Sequence, residues 1–446
     1  MNRWFCLWAC VFVGSCAAAF AIQLLVLPIL LPQWHAGDGL MVDGDWSQYH
    51  NEAIEIHDRI VANGWGEWQF RYSGHSISGI MGALYVVTVP KPWVFIPVAA
   101  SLHATAGLIL ALLLFRFVKN PRVAMLAALP FIVFPTALLW TAQPLKDGFS
   151  IAGFLLFLYA WFIVLDLIRT REFPTAKLLG VLASFVLGFS LTWVAREYLV
   201  LLFQVICAVG TVILGIRAIQ LTATRRLHIS AAILILAALG IGLFIPAALP
   251  GGPRSTMWNG ENLASVSVQM TDKGRWDRTR WLPDYVDDLL AGIAKQRRSY
   301  IRSSTGEGST IDPQVSFVSA TDILKYVPRA IQISLFAPFP KDWFTHGDSS
   351  SSTAMRWISS FEMMFAYLML PFAFFAVWKW RRLPEMWMLV ILCGSVLVIH
   401  PMFVPNVGTL VRLRYPYFMT LVCLGLAAFL TIAPQWIRRV RGLVVR

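Results

Sequence analysis

The residues of this chain that could do chemistry lie in three short polar stretches and two arginine-bearing segments nearer the C-terminus. The first stretch reads Gly37-Asp38-Gly39-Leu40-Met41-Val42-Asp43-Gly44-Asp45-Trp46-Ser47-Gln48-Tyr49-His50. A carboxylate such as Asp43 or Asp45 can accept the proton of a hydroxyl or amine nucleophile while the carbon under attack loses a phosphate. It can also hold a divalent cation against that phosphate. Asp-Gly-Asp is equally turn and N-cap chemistry, so both readings stay open. The second stretch, Gln143-Pro144-Leu145-Lys146-Asp147-Gly148, places a Lys and an Asp in a very short connection. Asp147 suits the cap of the following helix. Lys146 does not, because a cation is disfavoured at a helix N-terminus, and a phosphate or carboxylate partner is expected for it. The third, Trp193-Val194-Ala195-Arg196-Glu197-Tyr198, offers an Arg–Glu pair that reads as an interfacial ion pair or as support behind a binding site.

Two further segments carry guanidinium groups. In Arg412-Leu413-Arg414-Tyr415-Pro416, two arginines could clamp a lipid phosphate bidentately, or snorkel to an interface. Arg329 sits in Tyr326-Val327-Pro328-Arg329, which runs on to Ala337-Pro338-Phe339-Pro340. That stretch is too short and too broken by Pro to cross a bilayer, and is expected to lie in the interface or dip into it.

The elements that must position these groups are membrane helices. Of 446 residues, 57% are hydrophobic and 14% charged, with a mean hydropathy of +0.64. A water-soluble fold of that composition could not cover itself with polar surface. A bilayer core of about 30 Å requires roughly 20 apolar residues per helix. Such runs recur at 4–32, 92–116, 123–142, 148–168, 178–194, 197–216, 229–249, 356–378, 386–403 and 415–434, which predicts an all-α polytopic membrane protein of about ten spans. Seventeen basic residues fall on one side: Arg3, Arg116, Lys119, Arg122, Arg169, Arg171, Lys177, Arg217, Arg225, Arg226, Lys379, Arg381, Arg382, Arg438, Arg439, Arg441 and Arg446. The short loops opposite hold four: Lys146, Arg196, Arg412 and Arg414. The positive-inside rule makes the first side, with both termini, cytoplasmic. A crossing at 76–90 would invert six later spans, so that segment reads as re-entrant or interfacial.

The chain then divides into an N-terminal membrane module, 1–249, with its first periplasmic loop at 33–91; a large periplasmic loop, 250–355; and a C-terminal membrane module, 356–446. The first apolar run is too long for a cleaved leader, which predicts a retained span. The net charge of +13 is dispersed over helix ends and does not point to nucleic acid. All six cysteines lie inside predicted spans, so no disulfide framework is implied. Neither a P-loop nor a Gly-x-Gly-x-x-Gly is present.

The order and sidedness of these segments resemble the bacterial GT-C glycosyltransferases, polytopic enzymes that use polyprenyl-phosphate-linked sugars. The resemblance rests on Asp43 and Asp45 before Tyr49-His50 in a long first loop, on Lys146-Asp147 in a short second one, on the Tyr326 to Pro340 stretch and on the terminal Arg-x-Arg-Tyr-Pro. It implies a GT-C-like fold and an inverting transfer. Asp45, or Asp43, would then be the base, and Lys146, Arg412 and Arg414 the groups that bind the donor phosphate. Asp147, Arg196, His50, Tyr49 and Arg329 join the substrate-binding set. The first loop has no Asp-Glu dipeptide and no soluble C-terminal domain follows, so a glycan or glycolipid acceptor is expected rather than a protein. The implied partners are a polyprenyl-linked donor, that acceptor and membrane lipids, with a divalent cation left open and the bacterial inner membrane as the location. Two alternatives remain: a polymerase or ligase using diphosphate-linked repeat units, and a lipid-linked glycan flippase. Few charges sit mid-span, Glu362 and His400 being nearer the ends, and no internal repeat is visible, which favours an enzyme.

Overall fold

In the computed structural model the described residues are 3–222 except 171 and 173, 276–303, and 309–444 except 348. The predicted span at 229–249 lies outside them, as do Arg171, Arg225, Arg226 and Arg446. The described chain is mostly helical. It forms two compact units, one comprising Met1–Ala248, Leu368–Met388 and Val422–Arg446, the other Leu249–Tyr367 and Leu389–Leu421.

The first unit opens with α1 (Arg3–Ala21), which continues as a π-helix over Ile22–Leu30. A small hairpin follows, β1 (His35–Gly37) with β2 (Leu40–Met41), then α2 (Asp45–Asn63) and α3 (Ser76–Val87). After these come α4 (Ile96–Val118), α5 (Pro121–Val133), α6 (Pro135–Ala142), α7 (Asp147–Thr170), α8 (Thr175–Ala195) and α9 (Glu197–Thr222). Later in the chain are α10 (Asp284–Ser303), α11 (Ala320–Phe336), α12 (Ser350–Trp380), α13 (Pro384–Phe403) and α14 (Val407–Val444).

Seven helical stretches are long and apolar enough to cross a membrane: Arg3–Leu30, Pro92–Val118, Asp147–Thr170, Thr175–Ala195, Ser350–Trp380, Pro384–Phe403 and Val407–Ile432. An eighth is present if α5 and α6 count as one. The chain is therefore a multi-pass membrane protein, with seven or eight such helices among the described residues where the hydropathy runs predict about ten. The run at 123–142 is a pair bent by 59°. Pro130 inside α5 and Pro135 at the start of α6 each remove a backbone donor, which accounts for the break. The run at 197–216 falls within the 26-residue α9. At 76–90 the chain forms the 12-residue α3, about 18 Å long at 1.5 Å per residue and too short to span.

α2 is amphipathic. Tyr49, Ala53, Ile56 and Ile60 recur at helical spacing and are buried, with Tyr49 and Ala53 joining Ile77, Met81 and Tyr85 of α3 in one apolar cluster. The two helices approach closely at Gly82, where a Cβ would stand 2.6 Å from Ile56 Cγ2. Gly64, with φ of 90°, ends α2 in a backbone conformation that favours glycine.

In the second unit, α11 starts with a capping box in which Ser319 and Asp322 satisfy each other's backbone N–H groups. The buried Arg297 of α10 donates to the carbonyls of Val315, Ile311, Asp312 and Pro401 and lies over the rings of Phe317 and Tyr326. One guanidinium with five donors thus ties the loop before α11 to the end of α13.

Candidate functional site

The loop after the first span begins with a hairpin whose turn residues, Asp38 and Gly39, both have positive φ, 51° and 79°. This is the geometry that Asp-Gly suits in a two-residue hairpin turn. The chain then passes through Asp43, also left-handed at φ 62°, and Gly44 into the first turn of α2. Asp43 and Asp45 are both exposed there. A carboxylate in a helix's first turn is favoured by the dipole, which explains the place of Asp45 without assigning it a reaction.

Next to these carboxylates in the chain is a polar network that runs from the exposed Lys91 and Asp38 to the buried His50 and Tyr85. His50 is buried in the α2–α3 interface, with Nδ1 2.7 Å from the Tyr85 hydroxyl and Nε2 3.6 Å from Asp38 Oδ2. Lys91 donates to the other Asp38 oxygen at 2.6 Å. This hydrogen bond holds the Asp38 carboxyl below the usual carboxylate range, while burial pulls the His50 imidazole below the usual histidine range and keeps it neutral. Two residues further on, Glu52 accepts from Ser78 Oγ at 2.6 Å and from Gln48 Nε2 at 2.8 Å, with His75 Nδ1 at 3.1 Å. Burial acts to raise its pKa, but these partners together hold it lower than the ordinary value. Tyr49 is buried with its ring edge-on to His75 at 5.0 Å.

The other two polar stretches meet this loop. Gln143 accepts from Met41 N–H at 3.1 Å and donates to the Gly39 carbonyl at 3.3 Å, pairing with the hairpin much as a strand would. Ala142, next to it, accepts from Gln23 of the first span. Leu145 and Phe149, either side of Lys146 and Asp147, share an apolar cluster with Tyr49, Ala53, Tyr85 and Phe95, and Trp46, Val194 and Ala195 pack against it. Arg71 completes the closure from the α2–α3 connection. It pairs with Glu197, donates to the Trp193 carbonyl at 3.0 Å and lies 4.4 Å over the Trp193 ring. Lys146 is half-buried at this junction. Asp147 and Arg196 are buried and form an ion pair, and Arg196 also donates to Ser150 Oγ at 3.2 Å and the Tyr198 hydroxyl at 3.3 Å. Arg196 thus pairs with Asp147, not with its sequence neighbour Glu197, which takes Arg71.

The remaining predicted residues, Arg414, Arg329 and Arg412, lie in the second unit. Arg414 is fully buried, with its guanidinium donating to the carbonyls of Ile333, Ser334 and Ala337 at the C-terminal end of α11. A cation there satisfies carbonyls that the helix leaves open and complements its dipole. Arg329 forms a two-pronged pair with Asp312, Nε to Oδ2 at 2.9 Å and Nη2 to Oδ1 at 3.0 Å, and Tyr326 donates to the same carboxylate at 3.0 Å. Arg412 is half-buried near the start of α14.

Asp38, Glu52, His75, Lys91 and Gln143 are not among the residues singled out from the sequence. Glu52 was the most findable of them, since it sits beside Ala53 on the apolar face of α2, where an unpaired carboxylate would be costly. Among the described residues no three His, Cys, Asp or Glu side chains are grouped so as to hold a metal ion. No protein-family model matches this chain, and no curated protein or solved structure matches it.

Proposed function

We propose that this chain is an inverting glycosyltransferase that moves a sugar from a polyprenyl-phosphate-linked donor to a glycan or glycolipid on the periplasmic side of the bacterial inner membrane. It would have about ten spans, with both termini in the cytoplasm. The reading is supported above all by the convergence of three loops far apart in sequence, 33–91, 143–148 and 193–198, on one apolar cluster in the first unit. Trp46, next to Asp45, and Leu145, next to Lys146, both take part in that packing. A sugar transfer needs a base for the acceptor hydroxyl and a cation for the departing phosphate.

In this reaction the acceptor oxygen attacks the anomeric carbon as its proton passes to Asp45, with Asp43 the alternate. The bond from that carbon to the phosphate oxygen breaks on the opposite face, and the leaving polyprenyl phosphate takes the electron pair. Lys146 offsets the charge that grows on the phosphate. Arg414 and Arg329 act through structure instead, since their donors already serve α11 carbonyls and Asp312.

The test is transfer from a labelled polyprenyl-linked donor by the full chain in proteoliposomes. A positioned base supplies roughly 10² to 10⁴ in rate, so Asp45→Asn should lower turnover by that factor with donor binding retained, and Asp43→Asn should do so if the base is Asp43. Full turnover in both variants would remove the base from this loop mouth. A wild type that transfers nothing from mono- or diphosphate donors, yet moves a lipid-linked glycan across the vesicle, would replace the enzyme with a flippase.

A further inference from the structure

In the first unit α4, which starts directly after Phe95, and α7, through Phe149, meet the loop cluster at one end and a dense set of cations at the other. There Asp166 is approached by Arg116 at 2.6 Å, Arg169 at 2.9 Å and Lys177 at 3.2 Å. Arg169 also reaches Glu385 at 3.3 Å, and Glu385 is buried with its Oε2 lacking a hydrogen-bond partner. Lys119 lies within the field of Arg116, Arg169, Glu385 and Asp166. The set continues across the contact of Phe117 with Trp380, whose rings are 5.3 Å apart, to Lys379 over Trp380 and Arg381 over Trp378. Trp378 and Trp387 are exposed, and Trp387 Nε1 donates to the Arg381 carbonyl at 2.8 Å.

Three cations, Arg116, Arg169 and Lys177, are thus paired with two carboxylates, Asp166 and Glu385, and the set holds three more, Lys119, Lys379 and Arg381. Each carboxylate offsets one charge, so the surplus is left at the ends of apolar helices, where water screens charge less well than in bulk. Exposed tryptophans belong at the headgroup level of a bilayer. The anions at that depth are lipid phosphates, and each Lys or Arg near such a surface adds about 1 kcal/mol of attraction.

We propose that this end of the first unit binds a phosphate-bearing anion, the headgroup of an anionic phospholipid, against Lys119, Arg169 and Lys177, with Trp378 and Trp387 beside its acyl chains. Orientation by positive charge alone requires no bound lipid, so the two are separable. The purified full chain in neutral detergent is melted with added phosphatidylglycerol, phosphatidylcholine, or inorganic phosphate at matched ionic strength. Phosphatidylglycerol should raise the melting temperature at concentrations where phosphatidylcholine does not. Lys119→Gln and Lys177→Gln should each weaken that dependence about fivefold, and the exposed Lys325→Gln in the second unit should not. Circular dichroism of each variant establishes that it is folded before its lipid dependence is compared. Protection by inorganic phosphate alone would assign the site to a soluble anion. Equal protection by both lipids, or folded variants with unchanged dependence on phosphatidylglycerol, would overturn it.

Discussion

The buried pair of Asp147 and Arg196 makes the sharpest test of how the candidate site is held. Asp147 is 2% exposed and Arg196 8%, so neither can be rehydrated when its partner is removed. Losing one member of such a pair costs about 3 to 5 kcal/mol, most of it from the charge left behind. Arg196→Met should lie toward the upper end, because it leaves a buried carboxylate and also forgoes the bonds to Ser150 and Tyr198. Asp147→Asn should cost about 3 kcal/mol, since the amide oxygen still accepts from the guanidinium. Combining Asp147→Leu with Arg196→Met removes both charges, and apolar replacement of a whole buried pair is often close to neutral. The double variant should then be more stable than Arg196→Met alone, with a coupling of at least about 2 kcal/mol. Equilibrium unfolding in mixed micelles, followed by tryptophan fluorescence, measures all four proteins. Additive costs, or single losses below about 1 kcal/mol, would refute a shielded pair. If the double variant also retains sugar transfer, Asp147 and Arg196 hold the junction together without touching substrate.

Arg414→Gln should destabilise the second unit by about 3 kcal/mol or more, because it strips donors from the Ile333, Ser334 and Ala337 carbonyls, and Arg414→Lys should recover little of it. A wild-type melting temperature for Arg414→Gln would contradict this role. The Arg329 hydrogen bonds hold the Asp312 carboxyl below its ordinary range. A depressed folded-state pKa means the contribution is present above the unfolded value of about 3.9 and is lost as pH falls through the folded one. Asp312→Asn should therefore destabilise at pH 7 and progressively less below about pH 4, and a pH-independent difference in melting temperature would argue against it. Reporter fusions after Lys119, after Arg382 and at the C-terminus should all report cytoplasm, and fusions within 260–320 periplasm; cytoplasmic signal from the large loop would sink the proposed topology.

The hydropathy runs by themselves determined the class of this protein and the places of seven membrane-length helices among the described residues. Each run is local, and the bilayer thickness that sets its length is the same for every helix. The break at Phe134-Pro135 and its 59° bend were not legible in the run at 123–142, since Pro130, Pro328 and Pro371 stand inside helices of this chain without ending them. What became of the charged residues was a matter of tertiary structure. Arg414 looked like half of a phosphate clamp beside Arg412, yet its carbonyl partners lie 77 to 81 residues away at the end of α11. Arg196 stood next to Glu197 and pairs instead with Asp147, 49 residues upstream, while Glu197 takes Arg71 from the first loop. His50 seemed to belong with the exposed acidic mouth and is buried between Asp38 and Tyr85. A side chain's partner depends on which backbone segments the fold brings within about 3 Å, and hydrogen bonds formed across such separations leave no periodic trace in the sequence. The three polar loops could be found one at a time, and only the packing of Leu145 and Phe149 with Tyr49 and Tyr85 placed them together.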